Sequence, residues 1–269
     1  MVLLVFTGLM ACWVLAAALA FAFQGRMIFP APTPSSALPV MGGTLLRLSS
    51  EMGEVFALHH EGPPGAATVV FFHGNGEQLL DLEDWAVQLH RNGLGVLVVE
   101  YPGYGLAQAS GPPSEKGCYE AAETALAHLR EKLGVGAERT VLAGSSLGTA
   151  VAAEMAARGR GSRLVLLSPI TSIAEAARRV FPYLPLRWLV RHRFDTASKV
   201  SRITVPTLVV HGGRDGVAPV EMGRALARDL PLAKLIVIDR ADHALVWSRM
   251  APLARCVAAF VRGEECGAL

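Results

Sequence analysis

No two cysteines in this 269-residue sequence stand in a CxxC spacing. The four present, Cys12, Cys118, Cys256 and Cys266, are scattered, and Cys12 falls inside an apolar run. Neither a zinc site nor a disulfide framework is expected from that pattern, although a Cys256–Cys266 bridge is conceivable. Histidine offers no ligand spacing either: His59, His60, His90, His128 and His192 have no partner pattern, so no metal and no cofactor is expected. Charge is also scarce. Asp, Glu, Lys and Arg make up 18% of the chain, the net charge is +2, and no basic stripe is interleaved with aromatics. That balance gives no case for nucleic acid as a partner. Internal repeats and low-complexity tracts are missing too.

Apolar residues are what the chain has in plenty, at 52%. Its length suits one large α/β domain or two small ones. From Val2 to Phe23 there is no charged side chain, and the first basic residue is Arg26. Such a run, as helix, spans about 33 Å, enough for the hydrocarbon core of a bilayer. Nothing basic precedes it and it is long for a signal core, so an uncleaved anchor is favoured over a cleaved leader. Ala-x-Ala patterns around Ala16–Ala22 keep cleavage, and with it a secreted or periplasmic product, as the alternative. Arg26 and Arg47 after the span would leave the rest cytoplasmic by the positive-inside rule, but two arginines do not decide the side. Four prolines between Phe29 and Pro39 read as an extended linker.

Beyond the linker, Thr44–Ser49 and Val55–His60 read as an antiparallel opening pair. Six continuous apolar runs follow: Thr68–Phe72, Gly95–Val99, Thr140–Ala143, Leu164–Leu167, Thr207–Val210 and Leu235–Ile238. Runs without alternation suit strands buried on both faces of a parallel sheet. Helical patterns at Leu79–Arg91, Ser114–Leu133, Thr149–Arg158, Val220–Leu230 and Leu245–Val261 lie between or after them. The alternation predicts a mostly parallel, doubly covered α/β sheet. One connection is long. Residues 171–202 carry seven basic side chains against Glu175 and Asp195, a local excess of five positive charges. This insert reads as a small cap, leaning on an anionic membrane or gripping an acidic substrate, or as a solvated helix pair.

In such sheets functional residues gather at the carboxyl ends of strands. Gly144-Ser145-Ser146-Leu147-Gly148 joins an apolar strand to an alanine-rich helix, the G-x-S-x-G spacing of a nucleophile elbow with Ser146 at its apex. His211-Gly-Gly-Arg-Asp215 and Asp239-Arg-Ala-Asp242-His243 end two later strands. The order Ser146, Asp215, His243 is that of a serine nucleophile, an acid and a general base. Asp239 and Asp242 are rival acids. Asp242 adjoins His243 in sequence and Asp239 lies at the strand, so Asp215 is preferred. Backbone N–H groups of Leu147 and of Asn75, after His73-Gly74, are the expected oxyanion donors. His73 and His211 read as turn-shaping, and Tyr101 and Tyr104 as either pocket or packing residues.

His73-Gly-Asn-Gly, Tyr101-Pro-Gly-Tyr-Gly, Gly144-Ser-Ser-Leu-Gly, His211-Gly-Gly-Arg-Asp215 and Asp242-His243 together resemble the α/β-hydrolase superfamily. More narrowly, the chain is similar to the Bem46-like membrane-anchored serine hydrolases, the group of α/β-hydrolase-domain proteins 12, 13 and 17, from about Arg26 to the end. Pro113-Ser-Glu115 and Phe194-Asp195 also match that pattern. Departures are Leu106-Ala-Gln108, where the group commonly has a serine, and Ala244 after the histidine. The resemblance implies a cofactor-free serine hydrolase of esters or thioesters, often lipid-like, on an N-terminal anchor. The expected layout is an anchor or signal at 1–24, a Pro-rich linker at 25–43 and the hydrolase domain with its insert at 44–269. A peptidase on the same fold and a non-catalytic membrane-tethered binding module are the alternatives. Oligomeric state is left open.

Overall fold

The computed structural model describes residues 2–32 and 42–269. Eight strands, β1 (Thr44–Ser50), β2 (Gly53–His60), β3 (Thr68–Phe72), β4 (Gly95–Val99), β5 (Thr140–Ser145), β6 (Arg163–Leu167), β7 (Thr207–Gly212) and β8 (Ala233–Ile238), form one sheet. Its order is β1-β2-β4-β3-β5-β6-β7-β8. β1 pairs antiparallel with β2 and β2 with β4; every other pairing is parallel. Every residue of β3, β4 and β5 is buried, as two-sided coverage requires. Alternate residues serve opposite faces. Val70, Phe72, Leu142 and Leu166 face one core, and Val69, Phe71, Val141 and Val165 face the other. Full burial of one such side chain contributes roughly 1.5–3 kcal/mol.

The first core is covered by α3 (Glu115–Glu131), α4 (Leu147–Ala157) and α7 (Val220–Asp229), and the second by α2 (Glu83–Arg91), α8 (Leu245–Ser248) and α9 (Met250–Arg262). Two predicted helices differ from expectation. Leu79–Arg91 opens with a 3₁₀ turn, Leu79–Leu82, before α2. Leu245–Val261 is broken at Arg249 into α8 and α9. Pro252 explains the break, because its ring would collide with the Ser248 carbonyl in a continuous helix.

The bridge that the sequence left conceivable is present. Cys256 of α9 is joined to Cys266 by a disulfide, which ties the segment after the helix back onto it. Such a bridge typically contributes about 2–4 kcal/mol. Spacing carried no sign of it because the pair meets through the chain reversal at Gly263, which caps α9 in the left-handed conformation.

The long apolar run is α1 (Val2–Ile28), with mean hydropathy 2.1 over Val5–Ile28, long and apolar enough to cross a membrane. It does not end where the linker was expected to begin. Residues 25–28 are helical, and Ile28 and Phe29 are buried in the first core. The Phe29 ring meets His192 edge-on at 5.1 Å and Phe194 at 6.0 Å. The remaining linker prolines, Pro34 and Pro39, lie outside the described residues. The insert, with short helices α5 (Ile173–Ala177) and α6 (Leu186–Leu189), packs along α1. The Trp13 indole donates to the Tyr183 carbonyl at 2.9 Å, and the Gln24 amide donates to the Leu189 carbonyl at 3.2 Å. Gln24 Oε1 in turn accepts from the Arg191 N–H at 2.7 Å.

Candidate active site

The turn at Ser146 is sharp because strand and helix all but touch. A Cβ on Gly148 would lie 2.0 Å from the Phe72 carbonyl oxygen, and one on Gly144 2.3 Å from the Gly148 carbonyl. Only glycine fits either place. The chain turns through Ser146 itself, at φ 50° and ψ −117°, a sparsely populated region for a residue with a Cβ. Its N–H is held by the Leu167 carbonyl at 2.9 Å, and its hydroxyl caps nothing. The hydroxyl is thus left free for another partner.

That partner is His243. Its Nε2 lies 2.8 Å from Ser146 Oγ, and its Nδ1 lies 2.7 Å from Asp215 Oδ2. With a carboxylate on one side, the imidazole proton belongs on Nδ1, so Nε2 accepts from the serine hydroxyl. The turn after β7 orients Asp215: the Val217 and Ala218 N–H groups donate to its Oδ1 at 2.9 and 2.7 Å. Burial raises its carboxyl pKa, but hydrogen bonds from His211 and His243, the His243 charge and the Ala218 N–H outweigh that. The carboxyl is held well below the usual carboxylate range. Asp239 and Asp242 make no such contact, and Asp242 Oδ1 accepts from the Ala244 N–H instead.

Expected and unexpected residues surround this chain of bonds. Leu147 opens α4, where a helix N–H has no internal acceptor. Gly148 packs against the Phe72 and His73 carbonyls, so the Leu147 turn and the His73-Gly74-Asn75 turn abut. His211 does more than shape a turn: its Nε2 lies 2.9 Å from the Ala218 carbonyl and 3.3 Å from Asp215 Oδ2. Ser168, at the end of β6, has φ 48° and sends its hydroxyl to the His243 carbonyl at 3.3 Å. Nothing in the sequence pattern marks it. Glu77 accepts from the Gly74 N–H at 2.6 Å and from the Trp247 indole at 2.9 Å, joining the Asn75 turn to α8 beside His243.

Beneath the Asn75 turn is a buried pair that sequence reasoning missed. His73 Nε2 lies 3.0 Å from Glu100 Oε1, with both side chains fully buried. Burial lowers the imidazole pKa, but the hydrogen bond and charge of Glu100 more than reverse this and raise it. Tyr101 and Tyr104 both pack on the imidazole, with ring centres 4.1 and 5.2 Å away. The Tyr104 hydroxyl donates to Asn75 Oδ1 at 2.9 Å and the Tyr101 hydroxyl to the His73 carbonyl at 3.2 Å. Burial keeps both phenols protonated donors. Asn75 also edges an apolar cavity of about 340 Å³ between α1 and the insert.

A family model described as serine aminopeptidase S33 matches residues 63–197, and one described as TAP-like protein matches 186–265. The chain belongs to the α/β-hydrolase superfamily. This α/β-hydrolase is 34% identical to an uncharacterized protein of Mycobacterium tuberculosis over 228 residues, covering 82% of this chain and 80% of that one. It is 33% identical to human α/β-hydrolase domain-containing protein 17B over 165 residues, 61% of this chain and 55% of that one. That relative accords with the Bem46-like resemblance. Among solved structures, an esterase from Pyrococcus furiosus superposes with TM-score 0.71 at 18% identity, covering 87% of this chain and 99% of that one. A puromycin-hydrolyzing peptidase of M. tuberculosis superposes with TM-score 0.68 at 20% identity, covering 85% and 40%. At such identities these two share the fold.

For this α/β-hydrolase, Glu100→Gln is expected to cost about 3–5 kcal/mol, since it leaves one buried partner uncompensated. The loss should depend on pH. A histidine whose pKa is raised on folding stabilises the native state fully below its unfolded value, 6.5, and ceases to as pH rises through the folded value. The gap between wild type and variant should therefore be widest below pH 6.5 and narrow in alkali. Urea melts across that range check it; a gap that widens with pH would refute the paired reading.

Proposed function

We propose that this chain is a serine hydrolase that cleaves carboxylic esters or thioesters, with lipid-like acyl substrates, through an acyl-Ser146 intermediate. The observation that carries the proposal is the unbroken chain of short bonds from Ser146 through His243 to Asp215. A neutral serine is a weak nucleophile, so His243 Nε2 takes the hydroxyl proton as Oγ attacks the carbonyl carbon. Asp215 holds the tautomer and stabilises the imidazolium that forms. The N–H groups of Leu147 and Asn75 receive the oxyanion. His243 then passes the proton to the departing alcohol or thiol, and a water repeats the cycle to release the acid.

A peptidase reading draws support from the description of the matching family model. Against it, an aminopeptidase must hold a substrate ammonium, and among the described residues no Asp or Glu lines the cavity beside Asn75. The insert is instead rich in arginine. Ester chemistry fits these surroundings better, and α1 would hold the enzyme on a membrane as an anchor. A fluorophosphonate probe on the full chain in detergent micelles, read by intact mass, tests the proposal. One adduct on Ser146, with ester or thioester turnover exceeding that of aminoacyl amides, is the expected result. An unlabelled, folded protein would favour a non-catalytic module.

A further inference from the structure

The apolar cavity at Asn75 is shared between two parts of the chain that sequence reading kept separate. Ala20 and Met27 of α1 form one wall, and Ala177, Phe181 and Leu189 of the insert form the other. A second apolar cavity, about 550 Å³, continues from it along α1 as far as Trp13, and the two share Ala20, Met27, Val180 and Phe181. From Trp13 to Met27 the helix rises about 21 Å. One lipid acyl chain occupies half of a hydrocarbon core of about 30 Å, so the groove accommodates a whole chain. Among the described residues, no charged side chain lines either cavity.

Around the groove, the insert exposes Val180, Tyr183 and Trp188. Aromatic and arginine side chains next to a membrane-length helix suit the interfacial zone of a bilayer. The groove therefore runs from the depth of α1 to the turn that bears Asn75.

We infer that this groove is the acyl-chain site of a long-chain ester drawn from the bilayer, with the membrane helix itself as one wall of the specificity pocket. The inference rests on the serine-hydrolase reading of Ser146. It makes α1 a determinant of chain-length preference as well as an attachment.

The test uses the full chain in lipid nanodiscs, with p-nitrophenyl esters from acetate to palmitate and a small fluorophosphonate as probes. In the wild type kcat/KM should climb about fourfold per added methylene until the groove is filled, the equivalent of about 0.8 kcal/mol each. Ala20→Trp on α1 and Ala177→Phe on the insert each fill the space of about four or more methylenes. Long-chain kcat/KM should then fall about 200-fold or more, with acetate turnover and fluorophosphonate labelling unchanged. If Ala20→Trp also lost labelling, the smaller Ala20→Leu should still show the split between long and short esters. Wild-type preference for long chains that neither wall alters would overturn the inference and leave the hydrolase reading standing. Absence of both labelling and ester turnover in the wild type would overturn the hydrolase reading and this inference with it.

Discussion

Replacing Ser146 with alanine is expected to lower kcat on an ester about a millionfold and leave the fold intact. The size follows from the way a nucleophile and its base act as a unit. Once Oγ is gone, His243 has no proton to take, and only oxyanion donors and binding remain, worth about 10³–10⁴ over water. Stability should barely move. Alanine keeps the Cβ, so the unusual backbone at Ser146 is no more strained than before, and the hydroxyl caps no helix N–H. A surface-like change of this kind stays within about 0.5 kcal/mol. Turnover of a p-nitrophenyl ester, beside a thermal melt, checks both halves. Activity retained in a clean variant preparation would remove Ser146 from the mechanism.

Asp215→Asn should cost about 10⁴ in kcat at neutral pH. The substitution preserves shape, and its carbonyl oxygen can still accept from the Val217 and Ala218 N–H groups at Oδ1. With that oxygen so engaged, the new NH₂ faces His243 Nδ1. A donor there makes Nδ1 the acceptor and moves the imidazole proton to Nε2, where it meets the serine hydroxyl. His243 can then no longer accept the serine proton. A loss of tenfold or less, measured on a saturating ester, would show that the acid comes from elsewhere.

The parallel strands were the easiest part to read from the sequence. β3 and β4 match their apolar runs residue for residue, because both faces are buried and turn residues flank them. β5 and β7 extend past their runs to Ser145 and Gly212, since small residues continue the ladder without adding hydrophobicity. Ser146, Asp215 and His243 were legible because each follows a strand at the same edge of the sheet, where topology brings distant residues together. Glu100 was not. Its meaning depends on His73 across a neighbouring strand end, and no local pattern announces a pair 27 positions apart in the chain. The same reason hid Phe29 and Gln24, whose partners lie more than 160 residues away in the insert.

The contact between α1 and the insert bears on maturation. A protease cut within Ala16–Ala22 would carry off Trp13 and its bond to the Tyr183 carbonyl. Phe181 and Leu184, which line the second apolar cavity with Trp13 and Ala16, would then face water. Contiguous apolar surface of that kind drives self-association. A form of the domain shed in this way would therefore carry an aggregation-prone flank that α1 covers in the intact chain.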